Sequence, residues 1–526
     1  MVTPMGNSDA RPDAALNAES LHPQAGNRRA VYFWHAWSAL MVAPVLLVLL
    51  LTGSLYLFDR EFDEAWQRQA YQVVPNGKPA ASLAVQQNVL RSLYPQATIN
   101  KVLLPRHDGQ AVRWQLDTAQ GSRLLYLDPY QLTVNAIEDP TSAPMAIVRR
   151  LHGELLAGSV GGYLIEWMSC WTLFLLLTGA WIWWPRQWKV DGRWRFDGIL
   201  WPRRRADGRL HWRDWHAIPA LLASLMLAFL VVTGLPWSIF WGEQFATLTH
   251  KLSPSWTWIA PSPNFHLPVS LQQMSALDPH AEHQAQLALT AANPATSNND
   301  RLAQPQADIS EDDIPVSGAA EPWTSQHHQV PALPVTTLPN EGARTPANIA
   351  VLEPVLAQLP IAEYGPGVRV FYPKALTQGS TPPFKISYVP DKAQGQRTIY
   401  IDPFSGAVLE DIGWTRYSLA AKVIEWGVMV HLGRQFGLVN QMVNLVFCTV
   451  ALFAMIAGLR LWWQRRHSGR WLPSRGRNDQ LPLVLQICLA LLVLLFPLLL
   501  LSVLLTLWVS ARASFRASTL QRGRAI

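Results

Sequence analysis

Four histidines stand at matched places in this chain, and their spacing is the first sign of chemistry in it. Trp34-His35-Ala36-x-x-Ala39-Leu40 recurs as Trp215-His216-Ala217-x-x-Ala220-Leu221, and each histidine is followed 17 residues later by Thr-Gly (Thr52-Gly53, Thr233-Gly234). A second pair repeats a different pattern. His152 and His431 each precede a glycine by 27 residues (Gly179, Gly458) and a Trp-Trp pair by 31 and 32 (Trp183-Trp184, Trp462-Trp463). Matched histidines in two halves of one chain offer two imidazoles per level, which suits axial ligation of a planar macrocycle between helices. Zinc or copper ordinarily asks for further ligands, and none of the three cysteines (Cys170, Cys448, Cys488) lies near these histidines in sequence. No C-x-x-C-H occurs, so covalent c-type attachment is excluded and non-covalent b-type haem is the expected group. Small neighbours (Ala36, Ala39, Ala217, Ala220, Gly153, Gly433) suit a flat group, and Arg149, Arg150 and Arg434 are placed to meet its propionates.

The elements that must position these residues are membrane spans. Charged residues make up only 15% of the 526, hydrophobic ones 49%, and there are 25 tryptophans, a profile that fits an aromatic belt at a bilayer surface. Five apolar segments, Ala36–Phe58, Tyr163–Trp184, Trp215–Trp241, Met442–Trp463 and Leu481–Val509, are long enough to cross roughly 30 Å of hydrocarbon. The net charge of +7 sits largely in two short loops, one with Arg186, Lys189, Arg193, Arg195, Arg203, Arg204, Arg205, Arg209 and Arg213, the other with Arg465, Arg466, Arg470, Arg475 and Arg477. Short basic loops stay in the cytoplasm, so the charge reports topology and excludes a nucleic-acid partner. Arg28 and Arg29 precede the first span with no small-residue cleavage site after it, which reads as a retained anchor.

The expected order is therefore a disordered cytoplasmic tail (1–30), a first span (31–58), an outer domain (59–145), and an interfacial helix with the second span (146–184). A basic cytoplasmic loop (185–213), a third span (214–241) and a second outer region (242–417) follow. Within that region, 284–345 has the polar, Pro-rich composition of a disordered insert, while 346–417 reads as foldable. An interfacial helix with the fourth span (418–463), a second basic loop (464–480), a fifth span (481–509) and a tail (510–526) complete the chain. The tail carries Arg512, Arg516, Arg522 and Arg524 on what this count makes the outer side, and Pro497 sits mid-segment, so a re-entrant hairpin stands as the alternative to a fifth span. The two halves enter the membrane in the same sense, giving a parallel two-fold repeat of 2+2 spans with the fifth as an appendage. His35 and His216 then share the inner level and His152 and His431 the outer one, too far apart for any cross-pairing. Tyr126-Leu127-Asp128-Pro129 is echoed by Tyr400-Ile401-Asp402-Pro403, each preceded by alternating apolar residues as in paired strands. His211, His250, His266, His280, His283, His327 and His328 have no counterparts in the first half, and Glu166 is the most notable acid within a span.

These two W-H-A…T-G spans, two H…G…W-W spans and two Y-x-D-P units resemble the PepSY-associated transmembrane family over most of residues 30–465. The chain is similar in particular to the family's integral-membrane ferric-siderophore reductases, which hold two haems in one helical bundle. The resemblance implies a bacterial inner-membrane protein with its N-terminus cytoplasmic and its PepSY-like α+β domains periplasmic. It implies haem ligation by His35, His216, His152 and His431, and electron transfer to a periplasmic ferric siderophore. No G-x-G-x-x-G lies between a strand and a helix, so electrons are expected from a separate cytoplasmic flavoprotein or from quinol in the bilayer. The arginine-dense inner loop suits docking of an acidic donor, as it suits lipid headgroups. A haem-free regulator or chaperone of envelope proteins, and a permease for the chelate, remain open alternatives at this point.

Overall fold

The structure is a computed structural model and describes residues 23–105, 107–184, 189–190, 193–194, 196–203, 208–242, 244–245, 324, 331, 349–358, 368–373, 382–466, 479–497 and 499–508. The chain divides into two units, one of residues 1–54, 151–243 and 443–526 and the other of residues 55–150 and 244–442.

The first unit is helical. Among the described residues, Asn27–Tyr56, Gly158–Trp183, Gly208–Trp237 and Leu438–Arg465 are long and apolar enough to cross a membrane. They lie within or along helices α1 (Pro23–Tyr56), α4 (Gly158–Trp183), α5 (Gly208–Gly234) and α7 (Leu438–Arg466). Helices α2 (Leu83–Leu93) and α6 (Leu419–His431) belong to the second unit, and α3 (Pro144–Glu154) runs across the boundary in sequence. At 1.5 Å per residue, some 26 to 30 residues reach about 40 Å, enough for the hydrocarbon and part of each interface. The core of this unit is aromatic at its centre. Trp34 stacks on Trp171 with ring centroids 6.1 Å apart, and Phe174 packs edge-on against both. A short hairpin of β5 (Lys189–Val190) and β6 (Arg193–Trp194) lies on the loop between α4 and α5.

The fifth apolar segment departs from expectation. It forms two short helices, α8 (Leu483–Leu495) and α9 (Leu499–Trp508), and neither has the length of the four spans. The cause is local. Pro497 lacks an N–H and crowds the residue before it, and Phe496 accordingly leaves the helix at φ −131°, ψ 83°. Nor is the segment an appendage. Leu485, Phe496, Leu499 and Val503 join the same core as Trp34 and Trp171, and Ser502 Oγ accepts the indole N–H of both Trp167 (3.2 Å) and Trp171 (3.1 Å).

The second unit is built on one antiparallel sheet. Strands β1 (Thr98–Leu103), β2 (Val112–Thr118), β3 (Gly121–Leu127) and β4 (Val134–Glu138) come from the first outer region. Strands β7 (Val368–Phe371), β8 (Phe384–Tyr388), β9 (Arg397–Ile401) and β10 (Val408–Gly413) come from the second. The order is β10-β9-β8-β7-β1-β2-β3-β4, so the two regions, expected as separate domains, join at a seam where Lys101, Val102 and Leu103 pair with Phe371, Val370 and Arg369. One core covers both sides of the seam, with Trp114, Leu116 and Leu125 from one region and Val370, Ile386 and Ile399 from the other beneath Leu90 of α2. The echoed Y-x-D-P units are the same turn twice. Asp128 Oδ1 accepts the N–H of Tyr130 (2.7 Å) and Gln131 (3.1 Å), and Asp402 Oδ1 accepts those of Phe404 (2.8 Å) and Ser405 (3.4 Å).

Most of the 284–345 stretch lies outside the described residues, but Thr324 within it is fully buried. Its N–H and hydroxyl both donate to Glu425 Oε1 at 2.7 Å, while Gln396 Nε2 donates to Oε2 at 3.1 Å. Burial raises the Glu425 carboxyl and these donors pull it back down. The stretch read as a free insert is thus tied to the fold at this residue.

The seam sets a test. Val102 and Val370 are fully buried partners across it. Val370→Asp is expected to destabilise the second unit by several kcal/mol, because it places a carboxylate in an apolar core. Hydrogen exchange should show β1 to β3 losing protection together with β7 to β9; loss confined to β7–β10 would mean that the two regions fold independently.

Candidate functional site

Of the four repeated histidines, the structure brings His35 and His216 together, with ring centroids 6.2 Å apart and planes tilted by 59°. Both are half-buried side chains on spans, His35 on α1 and His216 on α5. Each lies against a glycine of a neighbouring helix. A Cβ built on Gly179 of α4 would stand 3.2 Å from His35 Cε1, and one on Gly458 of α7 would stand 2.8 Å from His216 Nδ1 and 2.9 Å from its Cε1. The glycines, marked in the sequence only as spacing, are what let the imidazoles lie flat on the helices opposite.

That approach fixes where each ring carries its proton. His216 Nδ1 is 2.8 Å from the Ala454 carbonyl, which can only accept, so Nδ1 holds the hydrogen. His35 Nδ1 is 3.1 Å from Thr178 Oγ1 and also bonds the Leu175 carbonyl. The Thr178 hydroxyl donates to its own helix, at 3.1 Å to Phe174 O and 2.9 Å to Leu175 O, so towards His35 its oxygen accepts. In both rings Nε2 is left as the bare lone pair. Ala454 precedes Gly458 by four residues and Leu175 precedes Gly179 by four, so the two contacts use one geometry.

His152, at the end of α3, uses it a third time. A Cβ on Gly53 would be 3.1 Å from His152 Cε1, and the ring bonds the carbonyl of Leu49, four residues before that glycine. His152 Nδ1 is 2.9 Å from Thr52 Oγ1, whose own proton goes to Val48 O at 2.6 Å. Burial lowers the His152 imidazole to about 4, outweighing the bond to Leu49, so the ring is neutral at physiological pH. His431 ends α6 in the other unit, half-buried. His152 and His431 thus belong to different units.

The arginines are distributed unequally. Arg434 Nη2 donates to Asp59 Oδ2 at 2.7 Å in an ion pair buried on both sides, so one edge of its guanidinium is already held by the chain's own carboxylate. Arg149 and Arg150 lie on α3, within one turn of His152, and are half-buried. In the inner loop, Arg203 grips the buried Asp214 through Nε (2.8 Å) and Nη2 (2.8 Å), and Arg213 joins it at 2.9 Å. Arg203 is thus a structural clamp on the start of α5 rather than a docking charge, and Arg204 and Arg205 lie outside the described residues. Glu166 is buried and accepts the N–H groups of Phe240 (3.0 Å) and Trp241 (2.8 Å), so it anchors the backbone just after α5. His211 is exposed against Trp212 and Trp215, while His250, His266, His280, His283, His327 and His328 lie outside the described residues.

Among the described residues no group of three or more His, Cys, Asp or Glu side chains could hold a metal ion. His35 and His216 together offer two imidazoles, the number that would suit a haem and fewer than a structural zinc site ordinarily uses. Two nitrogen–metal bonds of about 2 Å, with roughly 1 Å from each nitrogen to its ring centre, would set the centroids about 6 Å apart, as His35 and His216 are. A family model described as "PepSY-associated TM region" matches residues 32–465, most of the chain. Comparison with curated proteins returns no match.

Clearance at the glycines is directly testable. Gly458→Ala is expected to force His216 aside and cost about 1–3 kcal/mol, whereas Gly179→Ala, with a few tenths of an ångström more room, should cost less. Thermal unfolding of the two variants in detergent checks the order; equal or reversed losses would show that the rings do not rest on these glycines.

Proposed function

The chain belongs to the PepSY-associated transmembrane family, and from that premise we propose that it is a dihaem b-type electron-transfer protein of the bacterial inner membrane that reduces a periplasmic ferric siderophore. The observation that carries this reading is the inner pair: two neutral-type imidazoles 6.2 Å apart, each with Nδ1–H bonded to a neighbouring helix and Nε2 bare. Ligating histidines ordinarily donate their second ring N–H to a carbonyl or similar acceptor, which fixes the ring and raises its basicity. His35 and His216 would hold one haem, and His152 and His431 the other. Arg149 and Arg150 are the outer cations closest in sequence to His152, with Arg434 sharing its charge with Asp59.

Haem supplies reversible one-electron chemistry at each level. The chain's own tasks are to fix the tautomers, keep water from the ligands within the apolar core, and present an outer surface to the chelate. Reduction to the ferrous state weakens siderophore binding, because hard oxygen donors favour the ferric ion. The donor is a cytoplasmic flavoprotein or quinol.

The parallel two-fold repeat is supported by two observations. The strand order is the same read outward from either side of the β1·β7 seam, and the His–glycine contact of α1 on α4 is matched by that of α5 on α7. The basic loops favour an inner N-terminus and periplasmic sheet.

His35→Ala and His216→Ala are expected to remove the same haem and leave the other, with His152→Ala and His431→Ala removing the second. In sealed vesicles, reductant on the cytoplasmic side should reduce a ferric chelate confined to the opposite side, and His431→Ala should abolish that while the inner haem stays reducible. Chelate reduction at the normal rate by His431→Ala would end this reading of the outer site.

A further inference from the structure

The two inner histidines rest on the same backbone geometry but not on the same acceptor. Opposite His35 the chain reads Thr178-Gly179, and opposite His216 it reads Ala457-Gly458. At His216 the Nδ1–H points at the bare Ala454 carbonyl, 2.8 Å away. At His35 the bond is shared: the ring bonds the corresponding carbonyl, of Leu175, but that carbonyl also accepts the Thr178 hydroxyl at 2.9 Å, and the Thr178 oxygen stands 3.1 Å from Nδ1 as a second acceptor. A hydroxyl oxygen is a weaker acceptor than a peptide carbonyl, and this one lies at the longer distance. His35 therefore gives up less of its Nδ1 proton than His216 does. Since the second-shell bond raises the basicity of a ligating imidazole and so its donation to a bound metal, the two faces of the inner site are electronically unequal. Thr52 stands towards His152 as Thr178 does towards His35, with Nδ1 and Oγ1 2.9 Å apart. Among the described contacts, His216 is the histidine that reaches a helix carbonyl with no hydroxyl beside it.

We propose that the position occupied by Thr178 in one half and Ala457 in the other is a tuning position, at which a hydroxyl beside the glycine weakens the Nδ1–H bond of the facing histidine and raises the reduction potential of the site that histidine ligates. Within the inner site, the Ala457 side therefore presents the stronger donor through His216 and the Thr178 side the weaker one through His35. Thr178 is in this sense a positioning residue acting through His35. The inference rests on the haem reading above and says which residue sets the potential of the inner site within it.

The test is a spectroelectrochemical titration of the full-length protein in detergent, with haem content measured alongside. Thr178→Ala leaves the Leu175 carbonyl, now shared with the Thr178 hydroxyl, to His35 alone and is expected to lower the inner potential, with the outer potential and two haems retained. Thr178→Ser keeps the hydroxyl and should restore the wild-type value, which a loss of packing alone would not do. Ala457→Thr should raise the inner potential. Should the added side chain instead expel the inner haem, Thr178→Ala and Thr178→Ser still decide the question, because neither adds bulk. An inner potential unmoved by Thr178→Ala with both haems in place overturns the proposal, as does Thr178→Ser shifting as far as Thr178→Ala. A wild-type protein without haem would fail the underlying reading instead, and the two failures are told apart by the spectrum taken before any titration.

Discussion

Everything proposed for this chain depends on one contact repeated three times: an imidazole laid on a glycine of a neighbouring helix, its Nδ1–H turned to that helix's backbone or to a threonine that borrows the backbone's carbonyl. In the bilayer there is little water to compete for the N–H, and helices approach closely only where small residues allow it. Glycine meets both demands. It lets the ring reach the i−4 carbonyl, and the bond then settles the tautomer without any charged partner. A larger residue at Gly53, Gly179 or Gly458 would move the ring off that carbonyl and leave the proton on either nitrogen. The arrangement leaves the hydrogen on Nδ1 and the lone pair on Nε2, the nitrogen that the proposed haem would use.

Each unit has its own fixed points. The stacked Trp34 and Trp171 fill the bundle directly beside His35, and Ser502 satisfies the indole N–H groups of Trp167 and Trp171 from the broken C-terminal segment. The Arg203–Asp214 clamp fixes the chain entering α5 just before His216. In the other unit, the β1·β7 seam makes one body out of two distant stretches of sequence, and the buried Arg434–Asp59 pair ties the turn after His431 to the residues following α1.

Much of this was legible in the residues. Four spans, the His35–His216 pair and the two Asp-centred turns all followed from apolar runs and repeated spacing, because those features are written locally. The misses share a cause, which is that they depend on contacts between distant residues. Edge pairing of β1 with β7 joins residues 266 to 270 apart in sequence and leaves no local pattern. The break at Phe496 was signalled by Pro497, but membership of α8 and α9 in the core was not, since their lack of a counterpart in the repeat suggested an appendage. Arg203 looked like one more basic loop residue until Asp214 was found buried against it. Gly179 and Gly458 were visible as spacing, while their role needed the ring that lies on them. Thr324 sits in a stretch whose composition is that of a linker, and only its two bonds to Glu425 distinguish it.

The central claim is that the chain binds two haems through paired histidines, and the most direct measurement is the absorption spectrum of the purified protein with haem quantified per chain. The account predicts a red protein with two non-covalent haems and a Soret band that shifts on dithionite, with one haem remaining in His216→Ala. A colourless protein from cells with ample haem, or a wild-type content unaffected by His216→Ala, would contradict it.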